Sequence, residues 1–338
     1  VNVKISETAP SHTLIFGEEM QTRIISLFRT CRYSYFDPPK DIAHGFASRA
    51  RYCYAVWLHH LVSANRHGFN DRPDSVAEIG PGVSLGVGLA ALISGSSKYY
   101  AFDVLRHATA KTNLNVFDEL VSLFERRERI PDGEEFPRLS GWLDTHDFPD
   151  HILDGDRMRG LLEPGRLKMI RDLVAGESSG EGTFEIKYVV PWTGSSFRML
   201  EGTVDMIFSQ EVMEHVDCLP AAYGAMRAFL KTGGYVSHKI SFYAHDLIRP
   251  RWNSHWTVGD LAWKLLMGRR PRAFVINRVP VSGHVNLLEQ NGFRIRSLIR
   301  KRDSENSIPR SALRGRFRGM SEDDLQTREA IVQADLAA

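Results

Sequence analysis

The run Ser75-Val76-Ala77-Glu78-Ile79-Gly80-Pro81-Gly82-Val83-Ser84-Leu85-Gly86 constrains this chain more than any other. Its pattern predicts a short apolar strand ending in an acid, a tight glycine turn, and a helix running on to Ile93. Strand, glycine turn and helix form the first unit of a nucleotide-binding α/β sheet. Gly80 and Gly82 let the backbone bend sharply and keep a Cβ from standing between it and a ligand. Ser84 is placed to cap the helix.

A second strand, Tyr99–Val104, carries Asp103, 25 residues after Glu78. A carboxylate at that strand end can accept both hydroxyls of a ribose, as in dinucleotide sites with a spacing of about 20. A nicotinamide or flavin fingerprint would need glycine where Leu85 stands, to seat a pyrophosphate at the helix N-terminus. Glu78, two residues before Gly80, would repel a pyrophosphate and suits a cationic amine.

With its acid two residues ahead of Gly-x-Gly, the turn resembles the first motif of the class I S-adenosylmethionine-dependent methyltransferases. Val204–Val216 is similar to that family's fourth strand and following turn, and Ala225–Tyr235 to its next helix, glycine turn and fifth strand. The resemblance covers about residues 75–104 and 184–242. It implies a Rossmann-like α/β fold with a seven-stranded mixed sheet and S-adenosylmethionine as cofactor. Glu78, Gly80, Gly82, Ser84 and Asp103 would hold the cofactor, and Gln210 would line the site. Many relatives carry an acid after the third strand; this chain has Pro191-Trp192, so backbone groups or stacking on Trp192 would have to replace that contact, unless Trp192 serves only in packing.

Around this sheet the sequence places additions. Residues 1–70 read as an N-terminal helical cap or lid, with helices over 17–30 and 41–66, ahead of a methyltransferase domain over 71–338. Tyr33, Tyr35, His59 and His60 are either acceptor contacts or fillers of the seam beneath the cap, the latter being what large amphipathic side chains usually do. Insertions fall at about 131–183, with a helix over 160–174, and at about 246–280. His146, Asp147, Asp150 and His151 have metal-compatible spacing, but beside proline they read as turn residues, and no metal is expected. Cys31, Cys53 and Cys218 are scattered, which argues against a disulfide framework and for a reducing cytoplasm. No run approaches the ~18 apolar residues of a membrane span, and the first residues lack a signal-peptide pattern.

Ser237–Asp246 resembles a segment of sugar- and polysaccharide-associated methyltransferases of the type 11 kind, with Ser241 in place of that segment's first acid and the final pair inverted to His245-Asp246. This implies O-methylation of a carbohydrate or another hydroxylated small molecule. His238 is then the expected general base, with His215 and Asp246 as further candidates, because a neutral alcohol is a poor nucleophile until its proton is taken. The alternatives are a methyltransferase of another small molecule or of a protein, and a non-catalytic S-adenosylmethionine-binding protein. Trp252, Trp256 and Trp263 form a helical apolar stripe, either core or a platform for a sugar ring. Arginines and lysines over 300–318, with Arg269, Arg270 and Arg272 upstream, make the most basic portion, while the whole chain carries a formal charge of only +2. The stretch reads as a solvated face; an anionic acceptor suits it better than a membrane surface, and no nucleic-acid motif accompanies it.

Overall fold

The computed structural model describes residues 46–69, 72–177, 182–192, 201–244, 248, 250–267 and 276–337. Its centre is a seven-stranded mixed sheet of β1 (Ser75–Ile79), β2 (Lys98–Phe102), β3 (Glu185–Val189), β4 (Val204–Gln210), β5 (Leu230–Ser241), β6 (Phe293–Arg302) and β7 (Thr327–Leu336), in the order β3-β2-β1-β4-β5-β7-β6. β1 to β5 pair in parallel; β7 runs antiparallel to both β5 and β6. This is the Rossmann-like fold that the sequence predicts. The central strands are apolar because helices cover both faces. Along β4, Met206 and Phe208 face one helical layer and Ile207 the other. Strand β6 lies at the edge, where its exposed Arg294, Arg296, Arg300 and Arg302 discourage pairing with another sheet.

One layer holds α1 (Ala50–Arg66), α2 (Gly86–Ile93) and α3 (Ala110–Glu125). In α1, Trp57, Leu58, His59 and His60 are almost wholly buried; the indole of Trp57 donates to Ser94 Oγ at 2.7 Å, and His60 Nδ1 lies 2.7 Å from Ser237 Oγ on β5. A helix buried on nearly every side is a core element. The described part of the expected lid is therefore packed into the fold, and His59 and His60 fill the seam. The expected helix over 17–30, with Tyr33 and Tyr35, lies outside the described residues.

Within the first insertion the single expected helix is two, α4 (Gly155–Leu161) and α5 (Pro164–Ala175). Pro164 cannot continue a helix but suits the first turn of a new one, and Gly176, at φ 77°, closes α5 in a left-handed cap. His146 packs its ring against His59, and Asp150 pairs with Arg127. The other layer comprises α6 (Leu219–Phe229) and α8 (Val281–Gln290); between them in sequence lies α7 (Asp260–Met267), and α9 (Glu322–Gln326) leads into β7. Trp252, Trp256 and Trp263 are all buried, so the stripe is core.

Gly88 in α2 yields a first prediction. Alanine in place of a helical glycine normally stabilises by about 1 kcal/mol. Here a Cβ would run into the ring of Tyr99, which cannot retreat without giving up its bond to Glu78. Overpacking of this kind typically costs 1–3 kcal/mol, so Gly88→Ala should lower unfolding stability by about 2 kcal/mol in urea titration. A neutral or stabilised variant would contradict the packing described here.

Candidate functional site

After β3 the chain returns to place β4 beside β1, so the strand order reverses between these two. Ligands of open α/β sheets bind outside the carboxyl ends of the strands at such a point. Gly80 and Gly82 form the turn there, at φ 74° and 73°. A Cβ on Gly80 would lie 2.5 Å from Val212 Cγ2, just beyond β4, whereas one on Gly82 would meet only open space. Gly80 thus lets the two tips close on each other, and Gly82 keeps the turn's outer surface bare.

Asp103 follows β2 directly. Its Oδ2 accepts the Gly82 N–H at 3.3 Å and its Oδ1 the Val104 N–H at 2.7 Å, which fixes the carboxylate beside the glycine turn. The backbone N–H of Trp192 donates to the Asp103 carbonyl at 3.1 Å, bringing the residues after β3 to the same edge. Gln210 ends β4; both polar atoms of its amide are buried without a well-formed hydrogen bond, although Tyr52 of α1 approaches it. The structure brings Gly80, Gly82, Asp103, Trp192 and Gln210 to one end of the sheet.

Two expected cofactor contacts are placed differently. Glu78 is 3% exposed and turns under α2, where its carboxyl accepts a hydrogen bond from the Tyr99 hydroxyl and is approached by the Gly88 N–H. Burial, with Asp103 adding to it, pushes its pKa up to about 8. At neutral pH it is mostly the uncharged acid, which ties β1 to β2 and α2 and offers no free carboxylate to an amine. Ser84 is also enclosed: its hydroxyl donates to the Ala47 carbonyl and accepts the Gly86 N–H at 3.1 Å. The expected cap is therefore displaced: Leu85 is the residue preceding the helix and makes no side-chain cap bond, while Ser84, one residue earlier, braces the helix start through Gly86 and does not face the open turn.

His238 does not stand where a general base must. It is wholly buried in β5, its Nδ1 lies 2.8 Å from Ser209 Oγ, and its ring packs edge-on against Tyr223 of α6. Burial drives its pKa down to about 3. The period-two alternation of a strand explains this: His238 faces the α6–α8 layer with Val236 and Ile240, while Lys239 faces the other way. His215 lies half-buried in the short 3-10 turn Met213–His215 beyond β4. Asp246 lies outside the described residues.

The sequence reading missed a buried charge network. Lys239, 2% exposed, pairs with Glu211 and, at 3.0 Å, with Glu329 of β7; Glu211 also pairs with Arg138. Burial alone would lower the lysine's pKa, but the two carboxylates outweigh it and hold Lys239 above its ordinary value. Glu211 has a positive φ of 57°, a conformation unusual outside glycine, directly after the β4 tip. A lysine inside strand five and a glutamate inside strand seven were the available signals, because buried charges need partners.

Opposed titrations give the protein a stability optimum. Burial lowers the folded-state pKa of His59 to about 4, of His238 and His284 to about 3, and of His60 well below the ordinary value. Unfolded histidines therefore gain protons first, and stability falls as pH drops below about 6.5. Burial raises Glu78 and Glu214 to about 8, so their contribution is whole below the unfolded value near 4.3 and is lost as pH rises to 8. Between about 4.5 and 6.5 the four histidines outweigh the two glutamates; above 6.5 the glutamates dominate, joined above about 8 by Cys53, whose thiol burial pushes up to about 12. Urea midpoints measured from pH 5 to 9 should peak near pH 6.5, and a continuous rise through pH 8 would refute this assignment.

Among solved structures, the chain is similar to a geranyl diphosphate methyltransferase in complex with SAM, at 14% identity over 88% of this chain and 93% of that one, with a TM-score of 0.40. An S-adenosylmethionine-dependent methyltransferase from Mesorhizobium loti matches at 11% identity over 77% and 90%, TM-score 0.36. SAM-dependent methyltransferases from Methanosarcina mazei match at 12% over 80% and 96%, TM-score 0.37. No family model and no curated protein matches the chain. Likenesses at these identities and TM-scores leave the functional reading to rest on the site itself.

Proposed function

We propose that this chain is an S-adenosylmethionine-dependent methyltransferase that methylates an oxygen of a carbohydrate or another hydroxylated small molecule. The observation that carries the reading is Asp103: a carboxylate fixed by the Gly82 and Val104 amides beside a bare glycine turn, at the reversal of the sheet. Such a group suits the ribose of an adenosyl ligand, and the open face of Gly82 suits its close approach. The cofactor supplies a methyl group already activated by a positively charged sulfur. The chain's own residues then have to bind and orient. Asp103 would accept ribose hydroxyls, the Gly80–Gly82 backbone would line the ligand's path, and Trp192 and the amide of Gln210 would border it. Holding two reactants in line can contribute on the order of 7–11 kcal/mol. Of the three proton acceptors expected from the sequence, His215 is the one that stands half-buried just past the β4 tip, and it takes that role here.

The enclosure of His238 favours one other reading, a cofactor-binding protein without catalysis. Incubation with S-adenosylmethionine and a panel of sugars, sugar phosphates, sugar acids and simple alcohols separates the two. The methyltransferase reading expects acceptor-dependent release of S-adenosylhomocysteine. Cofactor binding with no release from any acceptor would favour the second reading.

A further inference from the structure

A cavity of about 170 Å³ opens beside the charge network, against β5, β7 and β6, the three strands beyond β4. Its wall includes Arg138, Trp142, Lys239, Arg300, Lys301 and Glu329, drawn from the first insertion, β5, β6 and β7. At ~30 Å³ per water, this space holds roughly six waters, enough for one small oxyanion and the first carbons attached to it.

The chemistry of the lining is one-sided. Four cations surround the space, and the only carboxylates in the network are Glu329 on its wall and Glu211, which bridges Arg138 and Lys239. Lys301 donates to Ser140 Oγ at 2.6 Å, which positions it at the rim. The guanidinium of Arg300, whose backbone belongs to the β6–β7 ladder, makes no hydrogen bond or ion pair among the described residues. Trp142 is 3% exposed, and its indole N–H has no acceptor there. A buried donor without an acceptor is costly, and with Lys239 paired to Glu211 and Glu329 the surplus positive charge belongs to Arg300 and Lys301 at the rim. A ligand that only accepts hydrogen bonds and carries negative charge suits both features.

We propose that this cavity is an oxyanion subsite for the methyl acceptor, taking a carboxylate or a phosphate monoester carried by the substrate. Lys239 pairs in register with Gln210, which borders the proposed donor site, and the rest of the wall comes from the first insertion, β7 and β6, so an anion seated here lies beyond Gln210 on the side away from the Gly82–Asp103 edge. This part rests on the methyltransferase reading; the anion site itself does not. The substrate class is thereby narrowed from hydroxylated small molecules to anionic ones, such as sugar acids or sugar phosphates. Arg300 and Lys301 act as guides at the rim, while Lys239 and Trp142 line the recess.

Titration calorimetry of the full chain with inorganic phosphate, and separately with acetate, against chloride at matched ionic strength tests the proposal. Saturable binding of either anion is expected, with Arg300→Gln and Lys301→Gln each weakening it about tenfold while the urea midpoint stays that of the parent. Phosphate alone binding assigns a phosphate ester; acetate alone assigns a carboxylate. Binding of neither, or binding indifferent to both substitutions, overturns the proposal. A parallel titration with S-adenosylmethionine keeps the two readings apart. Anion binding lost with donor binding intact sinks only the subsite; the reverse sinks the methyltransferase reading and leaves an anion site.

Discussion

Replacing Lys239 by methionine is expected to destabilise the protein by about 3–5 kcal/mol, among the largest effects of any single substitution in the fold. The lysine is 2% exposed and lies between two carboxylates that are themselves 11% and 8% exposed. Removing its charge leaves Glu211 and Glu329 facing a recess with less water than they need, with Arg138 and Arg328 as remaining cations nearby. The loss comes mainly from stranding those charges, because a buried pair as a whole often contributes little beyond what a packed apolar group would. Adding Glu211→Gln and Glu329→Gln to Lys239→Met should therefore restore part of the stability. Urea unfolding of the single and triple variants checks both statements. A single variant within about 1 kcal/mol of the parent would mean that the network is more hydrated than its burial indicates.

The sequence disclosed the framework and concealed the orientations. Glycine spacing around Gly80, the acid at Asp103 and the apolar runs of β1, β4 and β5 are local signals, and each lies where expected. Arg300 and Arg302 belong to an edge strand, so part of the basic stretch is explained by sheet architecture. What could not be read locally was the direction in which a side chain leaves a strand that is buried on both faces. His238 and Lys239 are neighbours, yet one enters the α6–α8 layer and the other meets Glu211 and Glu329. Period-two alternation guarantees that they part; only the packing of helices shows which residue reaches the cavity. Glu78 is a similar case. Its position ahead of the glycine turn is a motif signal, but Tyr99 and Gly88, distant in sequence, determine that its carboxyl turns inward. The core position of α1 was hidden for another reason: a helix rich in tyrosine, tryptophan and histidine has the composition of a lid and of a core helix alike.

Loss of the Asp103 carboxylate should remove most of the affinity for S-adenosylmethionine. Hydrogen bonds to a charged group contribute about 1.5–3 kcal/mol each, so two ribose hydroxyls left without their acceptor correspond to about a hundredfold loss or more. Because Asp103 also accepts the Gly82 and Val104 amides, Asp103→Ala is paired with Asp103→Asn, which retains an acceptor oxygen for the turn but not the charge. Both variants should unfold cooperatively in urea, with the asparagine variant the closer to the parent. The decisive measurement is calorimetric titration of S-adenosylmethionine into the parent protein and the two Asp103 variants. Saturable one-to-one binding by the parent, weakened at least about a hundredfold in Asp103→Ala and clearly in Asp103→Asn, is the predicted result. A parent that does not bind S-adenosylmethionine, or variants that bind it as tightly as the parent, would contradict the placement of an adenosyl ligand at the Gly82–Asp103 edge.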